Sequence, residues 1–153
     1  MYCWSIVSPI GKLTGVEDGG FMIKVLLNAR FLPAEEKKTP LLSHWVQQTE
    51  EYFAGKRTAF DLPLKLAGSE FKLAVWQGIR EIGYGEVMSY GQLAEKINRP
   101  KAFRAVGSAC GANPLPIIIP CHRVVAKGGL GGFGLGLEAK KILLSLENPT
   151  FDF

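Results

Sequence analysis

The sequence has few cysteines and no long hydrophobic run. Three cysteines, Cys3, Cys110 and Cys121, are scattered over 153 residues, and this odd, dispersed set is not the pattern of a disulfide framework. The apolar runs are far shorter than the ~20 residues that span a bilayer. The segment MYCWSIVSPIGK has no basic stretch followed by a long apolar one, as a secretory signal would. We therefore expect a reducing compartment, no membrane partner and a cytoplasmic location, or a nuclear one in a eukaryote.

Acidic residues are absent from one long segment. Between Lys96 and Leu137 the chain has no Asp or Glu. Six basic residues lie in this segment, at Lys96, Arg99, Lys101, Arg104, Arg123 and Lys127. Cationic side chains bind a phosphate backbone by releasing its condensed counterions. The segment suits a nucleic-acid partner, although charge alone also allows a solvated basic face.

Low-complexity tracts and internal repeats are also absent, and 153 residues suit one domain or two small ones. The first third predicts three strands, in CWSIVSP, GKLTGVE and FMIKVLLNA, separated by the turn signals PIG and DGG. A helix follows, with Thr39 as its cap and Gly55 at its exit. A proline-containing connection then places a boundary near residue 66, which predicts an N-terminal α/β domain at 1–66 and a second domain at 67–153.

The sequence pattern of residues 67–153 predicts mainly helices. Ser69 caps the segment EFKLAVWQGIREI, and Ser89 with Gln92 has the spacing of a capping box. Two short helices, Ser89–Ile97 and Lys101–Ala112, fit a helix-turn-helix, and a last helix ends near Glu147. Small residues line the second helix of this pair, at Ala102, Ala105, Gly107, Ser108, Ala109, Gly111 and Ala112. Such a surface suits either tight core packing or a close approach to the minor groove of DNA.

A cysteine and a histidine are adjacent in PIIIPCHRVV. The preceding PLPIIIP is expected to be extended and buried, where the pKa of a thiol rises. Neighbouring side chains of an extended chain point to opposite sides, so contact between Cys121 and His122 needs a turn or a bridging water. Glu147 is the candidate carboxylate that would orient the histidine, as in a catalytic triad. Taken alone, the pair leaves a core cysteine and a nucleophile both open.

The segment RAVGSACGANPLPIIIPCHRVVAKGGLGGFGLGLEAKKILLSLE, with FKLAVWQGIREIGYGEVMSYGQLAEKINRPKAF before it, closely resembles the O6-alkylguanine-DNA alkyltransferases, also called methylated-DNA–protein-cysteine methyltransferases. The resemblance covers about Phe71 to Glu147. It implies an α/β (α+β) fold: a small ribonuclease-H-like domain with a three-stranded sheet and a helix, then a helical domain with a winged-helix-like helix-turn-helix. It also implies a monomer without cofactor or metal.

The resemblance implies direct-reversal DNA repair. Such a protein binds double-stranded DNA in the minor groove and flips out O6-alkylguanine, chiefly O6-methylguanine, and also O4-methylthymine. The alkyl group moves irreversibly to Cys121 as a thioether, so one molecule repairs one lesion. His122 is implied as the base that acts through a water, and Glu147 as the residue that orients it.

Other residues take their implied roles from the same resemblance. Tyr90 presses on the 3′ phosphate and donates to the flipped base, and Asn113 braces the turn before the active-site cysteine. Arg104 is the finger that fills the vacated stack. The implied DNA contacts are Arg104, Tyr90, Ala102, Ala105, Gly107 and Arg123. The implied substrate pocket is Pro116, Val124, Phe133, Gly134 and Leu135, walled by the glycine run 128–136.

Two positions depart from the family pattern. Many members have tyrosine where Phe133 stands, and the resemblance implies that this tyrosine hydroxyl donates to the purine, a hydrogen bond that phenylalanine lacks. Leu135 stands where glycine is frequent, which predicts a narrower pocket that disfavours bulky adducts. Cys3 and His44 are too few for the zinc site that some members carry in the N-terminal part.

Three other functions fit parts of the pattern. A non-catalytic relative would bind the lesion without repairing it, but Cys121 argues against this alternative. A Cys-His-Glu hydrolase or acyltransferase would turn over through a thioester and leave the basic segment unexplained. A plain helix-turn-helix regulator would have no need of the cysteine.

Overall fold

The computed structural model describes residues 1–153 and divides into two compact units, Met1–Leu66 and Ala67–Phe153. The first unit mixes a sheet with one helix, and the second is mainly helical. This confirms the mixed fold class that the sequence predicts. None of the helices has the length and hydrophobicity that crossing a bilayer requires.

The first unit is built on an antiparallel meander. Strands β1 (Tyr2–Ser8), β2 (Gly11–Asp18) and β3 (Phe21–Leu27) pair in sequence order. A fourth strand, β4 (Glu35–Glu36), runs parallel to β1, so the sheet order is β3-β2-β1-β4. The sequence predicts three strands, and the structure has four. A two-residue strand carries too little alternation to show in a hydrophobic pattern.

Helix α1 (Pro40–Phe53) packs on this sheet. Its start is as predicted, because the Thr39 hydroxyl accepts from the Leu42 N–H at 3.1 Å. Trp45 is buried against β2. A Cβ on Gly15 would lie 2.8 Å from the Trp45 ring, so glycine is needed for the indole to approach the strand this closely.

The second unit contains four helices and a short pair of strands. The helices are α2 (Glu70–Arg80), α3 (Tyr90–Lys96), α4 (Phe103–Gly111) and α5 (Leu137–Glu147). The strands β5 (Met88–Ser89) and β6 (Val124–Val125) pair in parallel. Helices α3 and α4 pack together as the predicted helix-turn-helix, and α4 is slightly shorter at both ends than predicted.

Two predicted helix starts are confirmed. The Ser69 hydroxyl accepts from the Lys72 N–H at 3.2 Å. At α3 the capping box is complete: the Gln92 N–H donates to the Ser89 hydroxyl at 3.1 Å, and the Ser89 N–H donates to the Gln92 side chain at 2.8 Å. Reciprocal bonds of this kind satisfy two otherwise unpaired donors, and they fix the point where Tyr90 begins its helix.

The segment before Cys121 is buried as predicted, but it is not extended. Ile117 has φ +74°, and Pro116 and Ile119 form an isolated bridge around it. The Asn113 side chain braces this turn. Its Nδ2 donates to the Ile119 carbonyl at 2.7 Å, and its Oδ1 accepts from the Leu115 N–H at 2.9 Å. The local side-chain bonds compete successfully with an extended strand. The prediction of an extended PLPIIIP is therefore wrong.

Candidate active site

Cys121 opens a single turn of 3-10 helix, Cys121–Arg123, at the end of the braced segment. Its N–H donates to the Ile119 carbonyl at 2.7 Å. The residue is 7% exposed, so its thiol is recessed but not sealed. Burial raises the pKa of the Cys121 thiol, whereas an Asn113 side-chain hydrogen bond and the charge of Lys140 oppose that rise. The thiol therefore needs help from its neighbours to ionise.

His122 and Glu147 form a buried pair. The His122 Nε2 lies 2.6 Å from the Glu147 Oε2, and His122 is fully buried. A carboxylate accepts only, so Nε2 carries the proton and Nδ1 has the lone pair. Nδ1 is buried without a hydrogen-bond partner among the protein atoms. Burial lowers the pKa of His122 although Glu147 acts in the opposite direction, so the imidazole is a neutral base.

Arg123 holds the other side of Glu147. Its Nε donates to Oε1 at 2.8 Å and its Nη2 to Oε2 at 3.2 Å, while Nη1 donates to the Ile82 carbonyl at 2.7 Å. The guanidinium is thus buried and bonded within the protein. This position argues against the predicted DNA contact of Arg123, because its guanidinium is already engaged by Glu147 and by the Ile82 carbonyl. It fixes the carboxylate that orients His122.

Two adjoining cavities open at the cysteine. One has a volume of about 150 Å³ and the other about 120 Å³. The first is lined by Tyr90, Gly107, Cys110, Gly111, Cys121, Gly132, Phe133 and Gly134. The second shares five of these and adds Asn113, Pro116 and Leu135. Four of the five predicted pocket residues, Pro116, Phe133, Gly134 and Leu135, therefore border a cavity that also contains Cys121.

Val124, the fifth predicted pocket residue, borders neither cavity. Its side chain is fully buried, and it lies in strand β6. Its carbonyl accepts from Lys140 Nζ at 2.7 Å. Val124 therefore belongs to the support behind the cysteine and not to the wall of the pocket.

The glycine run 128–136 closes over Tyr90. The Tyr90 hydroxyl donates to the Gly132 carbonyl at 3.4 Å. Gly131 has φ +73°, and a Cβ there would lie 2.8 Å from the Tyr90 ring, so no other residue fits. Burial raises the pKa of Tyr90. The phenol therefore keeps its proton at neutral pH and remains a donor at the cavity mouth.

Helix α4 presents its exposed face beside this mouth. Arg104 and Ala105 are exposed, Ala102 is half-buried, and Gly107 borders the cavity, where a Cβ would lie 3.9 Å from the Tyr90 ring. The Arg104 guanidinium lies 5.9 Å from the ring centroid of Phe103, which is 50% exposed. The small residues of this face are therefore accessible, as a close approach to a partner would require.

The opposite face of α4 is packed in the core. Val106 and Ala109 are buried. The Trp76 indole donates to the Ala109 carbonyl at 2.9 Å. Small residues therefore allow tight packing on this side, while the other side is exposed.

Lys140 is the residue that sequence reasoning missed. It is fully buried, and its Nζ donates to the carbonyls of Val124 and Gly132, the second at 2.9 Å. A signal was present, because Lys140 is three, four and seven residues from Leu143, Leu144 and Glu147, and so lies on their buried stripe. The adjacent Lys141, whose side chain is 45% exposed, hides that pattern. No three histidine, cysteine or carboxylate side chains come together to hold a metal ion.

Comparisons with known proteins agree with this geometry. Residues 1–66 match the ribonuclease-like domain of 6-O-methylguanine DNA methyltransferase, and residues 70–149 match its DNA binding domain. A methylated-DNA–protein-cysteine methyltransferase of Haemophilus influenzae is 44% identical over 94% of this chain and 84% of its own length. Its counterpart in Mycobacterium bovis is 45% identical over 94% of this chain and 90% of its own length.

A solved structure extends the match to three dimensions. Mycobacterium tuberculosis OGT in complex with DNA has a TM-score of 0.91 and 39% identity, over 97% of this chain and 94% of that one. The chain belongs to the 6-O-methylguanine DNA methyltransferase family, as the residues around Cys121 predict.

Proposed function

We infer that this protein is a methylated-DNA–protein-cysteine S-methyltransferase, which repairs O6-methylguanine in DNA by taking the methyl group onto Cys121. One observation carries the inference: a recessed thiol faces a small cavity with the His122–Glu147 pair behind it. Family membership supports the same reaction. DNA is the partner that the exposed, acid-free face of α4 suits.

The reaction begins with a proton transfer. The neutral His122 accepts the thiol proton at Nδ1 through a bridging water, which agrees with a buried Nδ1 that has no protein partner. Glu147, which is hydrogen-bonded to the Nε2 of His122, then stabilises the imidazolium that forms. Arg123 holds this carboxylate from its other side, so the pair is oriented before substrate arrives.

Methyl transfer is a displacement at carbon. The Cys121 sulfur forms a bond to the methyl carbon, and the bond from that carbon to guanine O6 breaks with its electrons left on the purine. The Tyr90 phenol lines the cavity, and its O–H, which donates to the Gly132 carbonyl at 3.4 Å before substrate binds, turns to the base and hydrogen-bonds it as this charge develops. The product is a thioether, from which no base regenerates the thiol, so each molecule acts once.

The target base has to leave the duplex. A recessed thiol does not reach an atom inside stacked DNA, and extrusion costs a few kcal/mol. We propose that α4 enters the minor groove, with Ala102, Ala105 and Gly107 close to the backbone and Arg104 in the vacated stack. The pocket also accepts O4-methylthymine, a smaller base with the same alkyl ether. We propose that residues 67–153 form the domain that binds DNA as a monomer, and that 1–66 form a separate domain.

Intact mass spectrometry tests the proposed function. Reduced protein is mixed with duplex DNA bearing one O6-methylguanine. We expect a mass gain of one methyl group, located on Cys121 by peptide mapping and absent from Cys121→Ala. An unchanged mass in a folded, reduced preparation would refute the proposal. Repeated turnover of the methylated DNA without a lasting mass gain would contradict irreversible transfer to Cys121.

Leu135 is expected to limit the size of the adduct. Its side chain borders the smaller cavity beside Cys121, so a benzyl group meets it where a methyl group does not. We expect wild type to react about tenfold more slowly with O6-benzylguanine than Leu135→Gly does, since a steric conflict of about 1–3 kcal/mol is typical of overpacking. The rate with O6-methylguanine is the control. Equal benzyl rates in the two proteins would contradict this role.

A further inference from the structure

Lys140 is a buried cation that the reaction described above does not use. Its side chain projects from α5 and is fully buried, and both of its hydrogen-bond partners are neutral carbonyls, of Val124 and Gly132. Burying an ammonium group costs several kcal/mol unless an anion compensates it. The neighbourhood of Lys140 is therefore expected to supply an anion.

The buried carboxylate of Glu147 is not the anion that compensates the charge of Lys140. Glu147 is bonded to His122 and Arg123. Burial lowers the pKa of Lys140, and the charges that oppose this fall are those of the Cys121 and Cys110 thiolates. The buried cluster holds two cations, Arg123 and Lys140, against one carboxylate, since His122 is neutral. One positive charge is left uncompensated while both thiols keep their protons.

Cys121 is the thiol that can balance this charge. Burial raises the pKa of both thiols, that of Cys110 to about 12, and Cys110 has no side-chain hydrogen bond that opposes this rise. Cys121 has in addition the Asn113 hydrogen bond, which favours its thiolate. Tyr90 on α3 also faces the thiols, but burial raises the pKa of its phenol, so it stays neutral.

We propose that Lys140 is the counterion of the Cys121 thiolate and positions the nucleophile for methyl transfer, an inference that rests on the proposed function. Its two carbonyl bonds hold the ammonium between the strand that follows the cysteine and the glycine run. Because Gly132 borders the cavity that contains Cys121, the second of these bonds places the Lys140 ammonium next to the pocket wall. Methyl transfer converts the thiolate to a neutral thioether and leaves Lys140 without its anion.

Ultraviolet absorbance of the thiolate, titrated against pH without DNA, tests this proposal. Each protein is compared with its Cys121→Ala counterpart to isolate the signal of Cys121. In Lys140→Met we expect the apparent pKa of Cys121 to rise by at least about one unit, because a nearby opposite charge shifts a pKa by about 1–3 units. The rate of alkylation by iodoacetamide at neutral pH falls about tenfold.

Lys141→Met is the matched control. It removes the same charge one residue along α5, where the side chain is 45% exposed and its Nζ lies 3.7 Å from Glu138 Oε1, and we expect it to leave the Cys121 titration unchanged. An unchanged pKa in folded Lys140→Met would overturn the proposal. Since the titration uses no DNA, its failure leaves methyl transfer intact, whereas absent methyl transfer with the expected titration would count against the proposed function.

A second measurement covers the case in which Lys140→Met does not fold. The Lys140 ammonium is followed by nitrogen NMR in wild type and in Cys121→Ala. Removing the anion destabilises the charged amine, so we expect it to lose its proton at least about one pH unit lower in the variant. The same titration in both proteins would overturn the role of Lys140 as counterion.

Discussion

Glu147→Gln is expected to slow methyl transfer at least a hundredfold and to destabilise the protein. Glu147 accepts from His122, from two nitrogens of Arg123 and from the Gly85 N–H. A neutral amide no longer stabilises the imidazolium, and general-base assistance is typically worth about 10²–10⁴ in rate. It also leaves the buried Arg123 uncompensated, which costs about 3–5 kcal/mol when one partner of a buried pair is removed. Single-turnover kinetics on methylated duplex and chemical denaturation measure the two effects.

Glu138→Gln is the control for this change. It makes the same replacement on the same helix, at a side chain that is 88% exposed and 3.7 Å from Lys141. We expect neither rate nor stability to move appreciably, since an exposed pair contributes about 0–1 kcal/mol. If Glu147→Gln retained the wild-type rate at a temperature where it is folded, Glu147 would have only a structural role.

Arg104→Ala is expected to slow repair of duplex DNA by about ten- to a hundredfold and to leave reaction with free O6-methylguanine base unchanged. Arg104 is exposed at the start of α4, whereas the His122–Glu147 pair is buried. Its proposed task is to stabilise the extruded state, whose cost is a few kcal/mol. The free base needs no extrusion, so the ratio of the two rates reports on flipping alone.

Lys101→Ala distinguishes the proposed insertion of Arg104 into the base stack from a general attraction of basic side chains to phosphate. Lys101 is exposed just before α4, and its loss is expected to weaken binding uniformly and to reduce its salt dependence. We expect it to lower the duplex rate only where DNA is not saturating. If Arg104→Ala reduced the duplex and free-base rates equally, a role in flipping would be contradicted.

Much of the fold and part of the site could be predicted from local signals. The caps at Thr39, Ser69 and Ser89 are encoded within three residues, so they survive any packing around them. The closeness of His122 and Glu147 was predicted from a chemical requirement and from the family resemblance. The structure brings the two side chains to 2.6 Å.

The rest depended on contacts that are distant in sequence. Arg123 resembled a DNA-binding cation because the acid-free segment gave it no local partner, and its carboxylate is 24 residues away. Lys140 resembled a surface lysine because its partners are carbonyls, which leave no mark in the sequence. The turn at Ile117 was not predicted from the sequence because three consecutive isoleucines favour a strand. In the structure, the side-chain hydrogen bonds of Asn113 outweigh that preference.

The hydrogen bond from the Trp76 indole to the Ala109 carbonyl makes Trp76 an intrinsic fluorescence probe of the second unit. Trp76 is the only tryptophan of Ala67–Phe153, the other two being Trp4 and Trp45. Its buried indole is hydrogen-bonded to the residue next to Cys110, which borders both cavities. Indole emission is sensitive to its hydrogen bond and to local polarity, so with Trp4 and Trp45 replaced by phenylalanine, fluorescence would follow the filling of the pocket in real time and without a label.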